Sequence, residues 1–152
     1  MKNIIIIIGL ILLSSCGFKV VNNDQFDKYY ITQIDTKGDS KINYRIKNKI
    51  TTSSNIANKI PVVINLDTKK EKLIKEKNIR NEITKYQIKI NVKADIKLLD
   101  STELKNFKVT RFGDYSVTTR YTNTRNNESR LIRNLANNLA EDIKKELNLA
   151  LK

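Results

Sequence analysis

Residues 86–98, YQIKINVKADIKL, alternate without a break. Tyr86, Ile88, Ile90, Val92, Ala94, Ile96 and Leu98 fall on one side, and Gln87, Lys89, Asn91, Lys93, Asp95 and Lys97 on the other. Successive side chains of a strand point to opposite faces of its sheet, so period two held this long marks a β-strand buried on one face. An antiparallel sheet with one face in the core and one in water explains the pattern, and it leaves the second face polar and basic.

Further strands flank this one. Residues 29–34 (YYITQI) are short and rich in β-forming residues, and make a first strand. Residues 60–66 (IPVVINL) make a second, with Pro61 near its start, where a missing N–H is tolerated. Residues 69–80 (KKEKLIKEKNIR) are a charge-dense connection; a solvated loop is the simplest reading, and a hairpin tip or an extension of the strands is the alternative. Asp100-Ser101-Thr102 predicts a turn. Phe107 and Val109 alternate in a fourth strand, Gly113-Asp114 predicts a bulge or break, and Tyr115, Val117, Thr119 and Tyr121 resume the alternation.

Two segments carry the helical period. After Asp39-Ser40, which can cap a helix, Ile42, Ile46 and Ile50 recur at i, i+4 and i+8. Lys41, Arg45, Lys47 and Lys49 lie on the polar faces and Tyr44 lies off the stripe; the alternation of Ile42, Tyr44 and Ile46 also permits a strand. Near the end, Ile132, Leu135, Ala136, Leu139, Ala140, Ile143 and Leu147 form one apolar stripe. Asn123 or Thr124 can cap this helix, and Glu128 sits in its early turns, where the helix dipole favours a negative charge. Strand, helix, three strands, helix satisfies the layer rule for an α+β fold: two helices packed on one face of a four-stranded, mainly antiparallel sheet.

The N-terminus reads as an address. Lys2 precedes an apolar run at residues 4–13, which is shorter than the ~20 residues needed to span a bilayer and has the size of a signal-peptide core. Leu13-Ser14-Ser15-Cys16 follows as a lipobox, in which small residues fit the peptidase and the Cys16 thiol takes the lipid. Residues 1–15 are expected to be a lipoprotein signal peptide, 16–28 a lipidated tether, and 29–152 a single α+β domain. Gly17 stands where an Asp would resemble an inner-membrane retention signal, which favours the outer membrane, with the domain facing the periplasm.

Composition narrows the chemistry. The 152 residues carry a net charge of +13 and contain no histidine and one cysteine. An internal disulfide is excluded, and the usual general base and commonest transition-metal ligand are missing. With Cys16 acylated, an enzyme would need a Ser/Lys pair or paired carboxylates. Glu141-Asp142 is the nearest approach, and it reads more simply as a solvated pair. The expectation is a non-catalytic protein without cofactor or metal. The charge suits a polyanion such as lipopolysaccharide or anionic lipid, whereas export argues against nucleic acid. Lysine on any tolerant surface, fed by an Ile-, Lys- and Asn-rich composition, explains the charge equally well.

Four stretches resemble the LptE family of outer-membrane lipoproteins. Leu13-Ser14-Ser15-Cys16-Gly17-Phe18 is similar to the family's start, a lipobox followed by Gly and an aromatic. Thr84-Lys85-Tyr86, leading through Ile88 to Leu99-Asp100, resembles its long third strand. Tyr115-Ser116-Val117, leading to Tyr121, resembles its fourth, and Leu139-Ala140-Glu141-Asp142-Ile143 with Leu147 its closing helix. The resemblance implies an LptE-like domain over residues 29–152. It implies a role in lipopolysaccharide transport and assembly, with the domain plugging and assisting the LptD β-barrel and binding lipopolysaccharide; the alternative is a generic periplasm-facing interaction lipoprotein, such as an auxiliary subunit of another envelope transport complex, which would share the anchor and could share the fold. The basic residues of the last two strands and their edges, Lys89, Lys93, Arg111, Arg120 and Arg125, are then the lipopolysaccharide-binding candidates, with Tyr115 and Tyr121 as amphipathic contact area.

Overall fold

Residues 29–51, 59–99 and 104–150 are described by the structure, a computed structural model. Strand β3 (Ile83–Leu98) pairs antiparallel on one side with β2 (Ile60–Lys77) and on the other with β4 (Leu104–Ser116). Strand β1 (Tyr29–Gly38) joins the outer edge of β2 in parallel, so the sheet order is β1-β2-β3-β4 and the sheet is mixed. The parallel pair arises because helix α1 (Ser40–Ile50) lies between β1 and β2 and carries the chain back, as parallel strands require. Helix α2 (Tyr121–Ala150) follows β4. At about 1.5 Å per residue it is roughly 45 Å long, matching the reach of β4 and returning the chain along the sheet.

The alternating row of β3 forms the middle of the core. Ile88, Ile90, Val92, Ala94 and Ile96 are wholly buried, as are Val62 and Ile64 on β2, Ile42 and Ile46 on α1, and Leu139, Ala140, Ile143 and Leu147 on α2. Ala136 and Ala140 let α2 come close, and Gly113 does the same from the sheet. A Cβ on Gly113 would lie 2.7 Å from the Leu131 side chain. Helix α1 packs beside α2 as well as on the sheet. The two run in the same direction, since Lys41 lies near Arg125 and Lys49 reaches Glu141 at 3.5 Å.

The turn into α1 has its own requirements. Gly38 has φ +96°, and a Cβ there would lie 1.9 Å from the Thr68 carbonyl oxygen, so both backbone conformation and space demand glycine. Asp39 then caps α1, its carboxylate accepting from the Lys41 and Ile42 N–H groups at 3.1 Å each. Asn43 and Thr68 are the polar residues buried in the core. The Thr68 hydroxyl donates to Asn43 Oδ1 (2.6 Å) and Asn43 Nδ2 donates to the Lys37 carbonyl (3.0 Å), which ties α1 to β1 and β2.

Several sequence expectations need correction. β1 continues to Gly38, and residues 69–77 are strand, because β3 supplies backbone partners for them whatever their charge. β4 passes through Gly113 without a break, with Gly113 facing Ile88. Alternation beyond Ser116 does not continue the strand. Tyr121 opens α2, started by the Arg120 carbonyl, which accepts from Asn123 and Thr124 N–H, while Thr124 Oγ1 accepts from Thr118 N–H at 2.9 Å. The signal peptide, Cys16, the tether and the turn at Asp100-Ser101-Thr102 lie outside the described residues.

Replacing Thr68 with Val keeps the shape but leaves the buried Asn43 carbonyl without a donor. It is expected to cost about 1–3 kcal/mol in urea unfolding, against less than about 0.5 kcal/mol for Thr110→Val on the exposed face.

Candidate functional site

The helix-facing side of β2 changes character at one point. Val62, Ile64, Leu66 and Thr68 are buried, and the next residues on that side are Lys70 and Lys72. The two helices cover the apolar part and stop, so the β2–β3 hairpin projects beyond them. A cleft of about 750 Å³ opens where the first turns of both helices meet this cationic row. Lys41, Tyr44 and Arg45, at i, i+3 and i+4, present one face of α1 to it, and Tyr121, Arg125 and Ile132 line it from α2. A second hollow of about 350 Å³ adjoins it, lined by Lys72, Tyr86 and Thr118–Thr119, and shares Tyr121, Arg125 and Glu128 with the first.

A compact network stands between the two hollows. Glu128 accepts from Lys72 Nζ at 3.0 Å and from the Tyr115 hydroxyl at 2.9 Å. The Tyr86 and Tyr115 rings stack 5.7 Å apart, with Lys72 Nζ 4.3 Å from the centre of the first and 5.4 Å from the second. Burial by itself would raise the Glu128 carboxyl, but Lys72 and the Tyr115 hydroxyl outweigh it and hold Glu128 below its ordinary value of 4.5. Burial pulls Lys72 down, yet Tyr115 and Glu128 raise it above 10.5. Burial, together with Glu128, lifts the Tyr115 phenol above 10.0, against the pull of Lys72. Next to this network, Lys70 bonds Asp39 at 2.7 Å, and Asp39 too lies below its ordinary value, since Lys70 and the α1 N–H groups overcome its burial.

Glu128, the acid that lines the cleft, and Asp39 beside it are therefore engaged with lysines. Lys41, Arg45 and Arg125 have no ion pair among the described residues. With Tyr44 and Tyr121 largely exposed, the cleft presents three free cations and two phenol faces to solvent. The N-terminal end of α1 adds the positive end of its dipole. Phosphate is the anion this donor set fits best: Arg45 and Arg125 can each bind it through two N–H groups, and Lys41 meets it as a point charge.

The five basic residues singled out in the sequence do not come together. Only Arg125 lines the cleft. Arg120 is exposed just ahead of α2, where its carbonyl builds the helix start. Arg111 faces the helix side of β4 and is held in a two-pronged bond by Asp142, with Nε–Oδ2 2.6 Å and Nη2–Oδ1 2.7 Å. Asp142 is thus a clasp between α2 and β4, and Glu141 meets Lys49 of α1; the acidic pair is not simply solvated. Lys89 and Lys93 lie on the far face of the sheet, opposite Glu71 and Asp67. Tyr121 does border the cleft, whereas Tyr115 is buried behind it. Lys41, Tyr44, Arg45 and Lys70 were missed. The shared face of the first three was legible from their spacing, but not the packing that sets that face beside α2. No three His, Cys, Asp or Glu side chains among the described residues gather as a metal site.

The depressed Glu128 carboxyl contributes stability that is complete above its unfolded value near 4.5 and is lost as pH falls through the folded one. With solvent screening discounted, the Lys72–Glu128–Tyr115 network is expected to contribute about 1 kcal/mol at neutral pH. Wild type should therefore lose more unfolding free energy than Glu128→Gln between about pH 7 and pH 3, by that amount.

No protein-family model matches the sequence, and no curated protein matches it. Solved structures do. The rare lipoprotein B of Shewanella oneidensis superposes with a TM-score of 0.60 at 14% identity, over 78% of this chain and 95% of that one. An uncharacterised lipoprotein B of Nitrosomonas europaea superposes with a TM-score of 0.56 at 16% identity, over 79% of this chain and 83% of that one. At such identities the likeness speaks for the fold: the chain has the LptE-like α+β fold of the rare lipoprotein B structures.

Proposed function

We propose that this chain is a non-catalytic outer-membrane lipoprotein of lipopolysaccharide transport, acylated at Cys16, that plugs and assists the LptD β-barrel and binds the phosphorylated head of lipopolysaccharide. The observation that carries the binding is the cleft between α1 and α2, with Lys41, Arg45 and Arg125 free of acidic partners among the described residues and Tyr44 and Tyr121 open beside them. Its size decides which part of the ligand enters. About 750 Å³ is room for a phosphorylated sugar but not for a set of acyl chains, and Ile132 is its one aliphatic lining residue. The tyrosine rings offer flat amphipathic surfaces to a sugar while the cations hold its phosphate. The fold supports the assignment, and so does the N-terminal lipobox sequence, which fits a lipid-anchored domain facing the periplasm.

Charge reversal separates this reading from general electrostatic attraction. Arg125→Glu is expected to weaken binding of purified lipopolysaccharide at least about tenfold, since it removes a charge-assisted contact and adds a repulsive one. Lys93→Glu, on the far face of the sheet, makes the same change in net charge and should leave affinity within about twofold. Equal loss in both variants would reduce the cleft to one part of a diffuse positive surface. The barrel assignment is tested by isolating the tagged chain from outer membranes in detergent, where a stoichiometric β-barrel partner is expected; recovery of the chain alone would overturn it.

A further inference from the structure

The β2–β3 hairpin ends in a turn held by several hydrogen bonds, yet its apex offers an apolar side chain to water. Asn78 Oδ1 accepts from the Arg80 and Glu82 N–H groups at 2.9 Å each, Asn78 Nδ2 donates to the Glu82 carboxylate at 2.7 Å, and Asn81 takes φ +60° with its Oδ1 bonded by Lys77 Nζ at 2.8 Å. Between Asn78 and Asn81, Ile79 is completely exposed. A short aliphatic held outward by so ordered a turn is presented rather than merely left over. Its surroundings are cationic. Lys75, Lys77 and Arg80 have no ion pair among the described residues, while Glu76 is bonded by Lys85 at 2.8 Å and Glu82 by Asn78.

We propose that this apex is a membrane-contact element that inserts Ile79 into an anionic lipid surface, with Lys75, Lys77 and Arg80 on the lipid phosphates. Three observations favour lipid over a protein surface. A single apolar side chain at the apex is far below the 20–30 residues per side of a stable protein interface, whereas at an anionic headgroup layer its burial adds to the attraction of the neighbouring cations. Behind the apex, Leu73 is exposed on the open face of the hairpin and Ile74 on the helix-facing side, so the exposed apolar side chains are not gathered on one face as a one-sided protein contact would need. Two of these three cations are lysines, whose long stems let the charge rise to the phosphates while the apex sits deeper. The contact is separate from any N-terminal anchor, because Ile60, the β2 partner of Tyr29, lies roughly 55 Å along the strand from the apex.

The chain contains no tryptophan, so Ile79→Trp gives a single reporter at a site where substitution disturbs no packing. Full-length Ile79→Trp protein is placed in vesicles of phosphatidylcholine, with and without phosphatidylglycerol and free of lipopolysaccharide, so failure of the lipopolysaccharide reading leaves the result unaffected. The expected result is blue-shifted emission and quenching by brominated acyl chains in the anionic vesicles. Neutralising Lys75, Lys77 and Arg80 together should reduce the quenched fraction several-fold, each cation near the surface being worth a factor of about five. Lys47→Trp, on the exposed side of α1, should stay unquenched. Emission at position 79 that brominated chains do not quench would overturn the proposal, whether it is water-like or blue-shifted by a protein surface.

Discussion

The helix-facing side of the sheet is longer than the helices that cover it, and the arrangement of charge follows from that mismatch. Both helices need an apolar surface and find it along the buried row from Ile88 to Ile96 on β3 and from Val62 to Leu66 on β2. Past Thr68 the same side of β2 carries Lys70 and Lys72, whose charged ends cannot be buried unpaired. On β2 the core ends where this row turns cationic, while Ile90 and Ile88 beside Lys70 and Lys72 stay buried on β3, and the cleft is the space left at that boundary. Gly38 and Asp39 set the start of α1 at the same level, and the bonds around Arg120 set the start of α2 there, so both helices present their first turns to it.

Electrostatics at the boundary divide into two kinds. Lys70 and Lys72 are bound to Asp39 and Glu128, and these pairs hold α1 and α2 against β2. Lys72 gains further from the faces of Tyr86 and Tyr115, which also brings β3 and β4 into the network. Lys41, Arg45 and Arg125 stand outside these pairs. A ligand phosphate would complete what the acids leave undone, and the paired lysines keep the floor of the cleft from being wholly repulsive toward the helices.

Much of the fold was legible in the sequence because it depends on period. The alternation of residues 86–98 and the stripe from Ile132 to Leu147 each give a buried face directly, and Asp39 before Ile42 gives the start of α1. Where the period is overwritten by charge the reading fails: residues 69–77 look like a solvated loop, yet long antiparallel pairing with β3 makes them strand. The parallel placement of β1 leaves no local trace, since it depends on which edge of β2 is vacant. The candidate site was less legible still. Of the residues singled out, Arg125 and Tyr121 line the cleft, whereas Arg111 is bound by Asp142, and Lys89 and Lys93 belong to the opposite face. Sequence shows where cations are, and only packing shows which of them lack a partner.

The central claim is that lipopolysaccharide is held at the cleft, and its most direct test is photocrosslinking in intact cell envelopes. A photoreactive side chain is placed in turn at Tyr44, Tyr121 and Lys93, and crosslinked lipopolysaccharide is detected on the isolated protein. Crosslinks from positions 44 and 121, with none from position 93, are the predicted result. Crosslinks from position 93 with none from 44 or 121 would place the ligand on the open face of the sheet and contradict the assignment of the cleft.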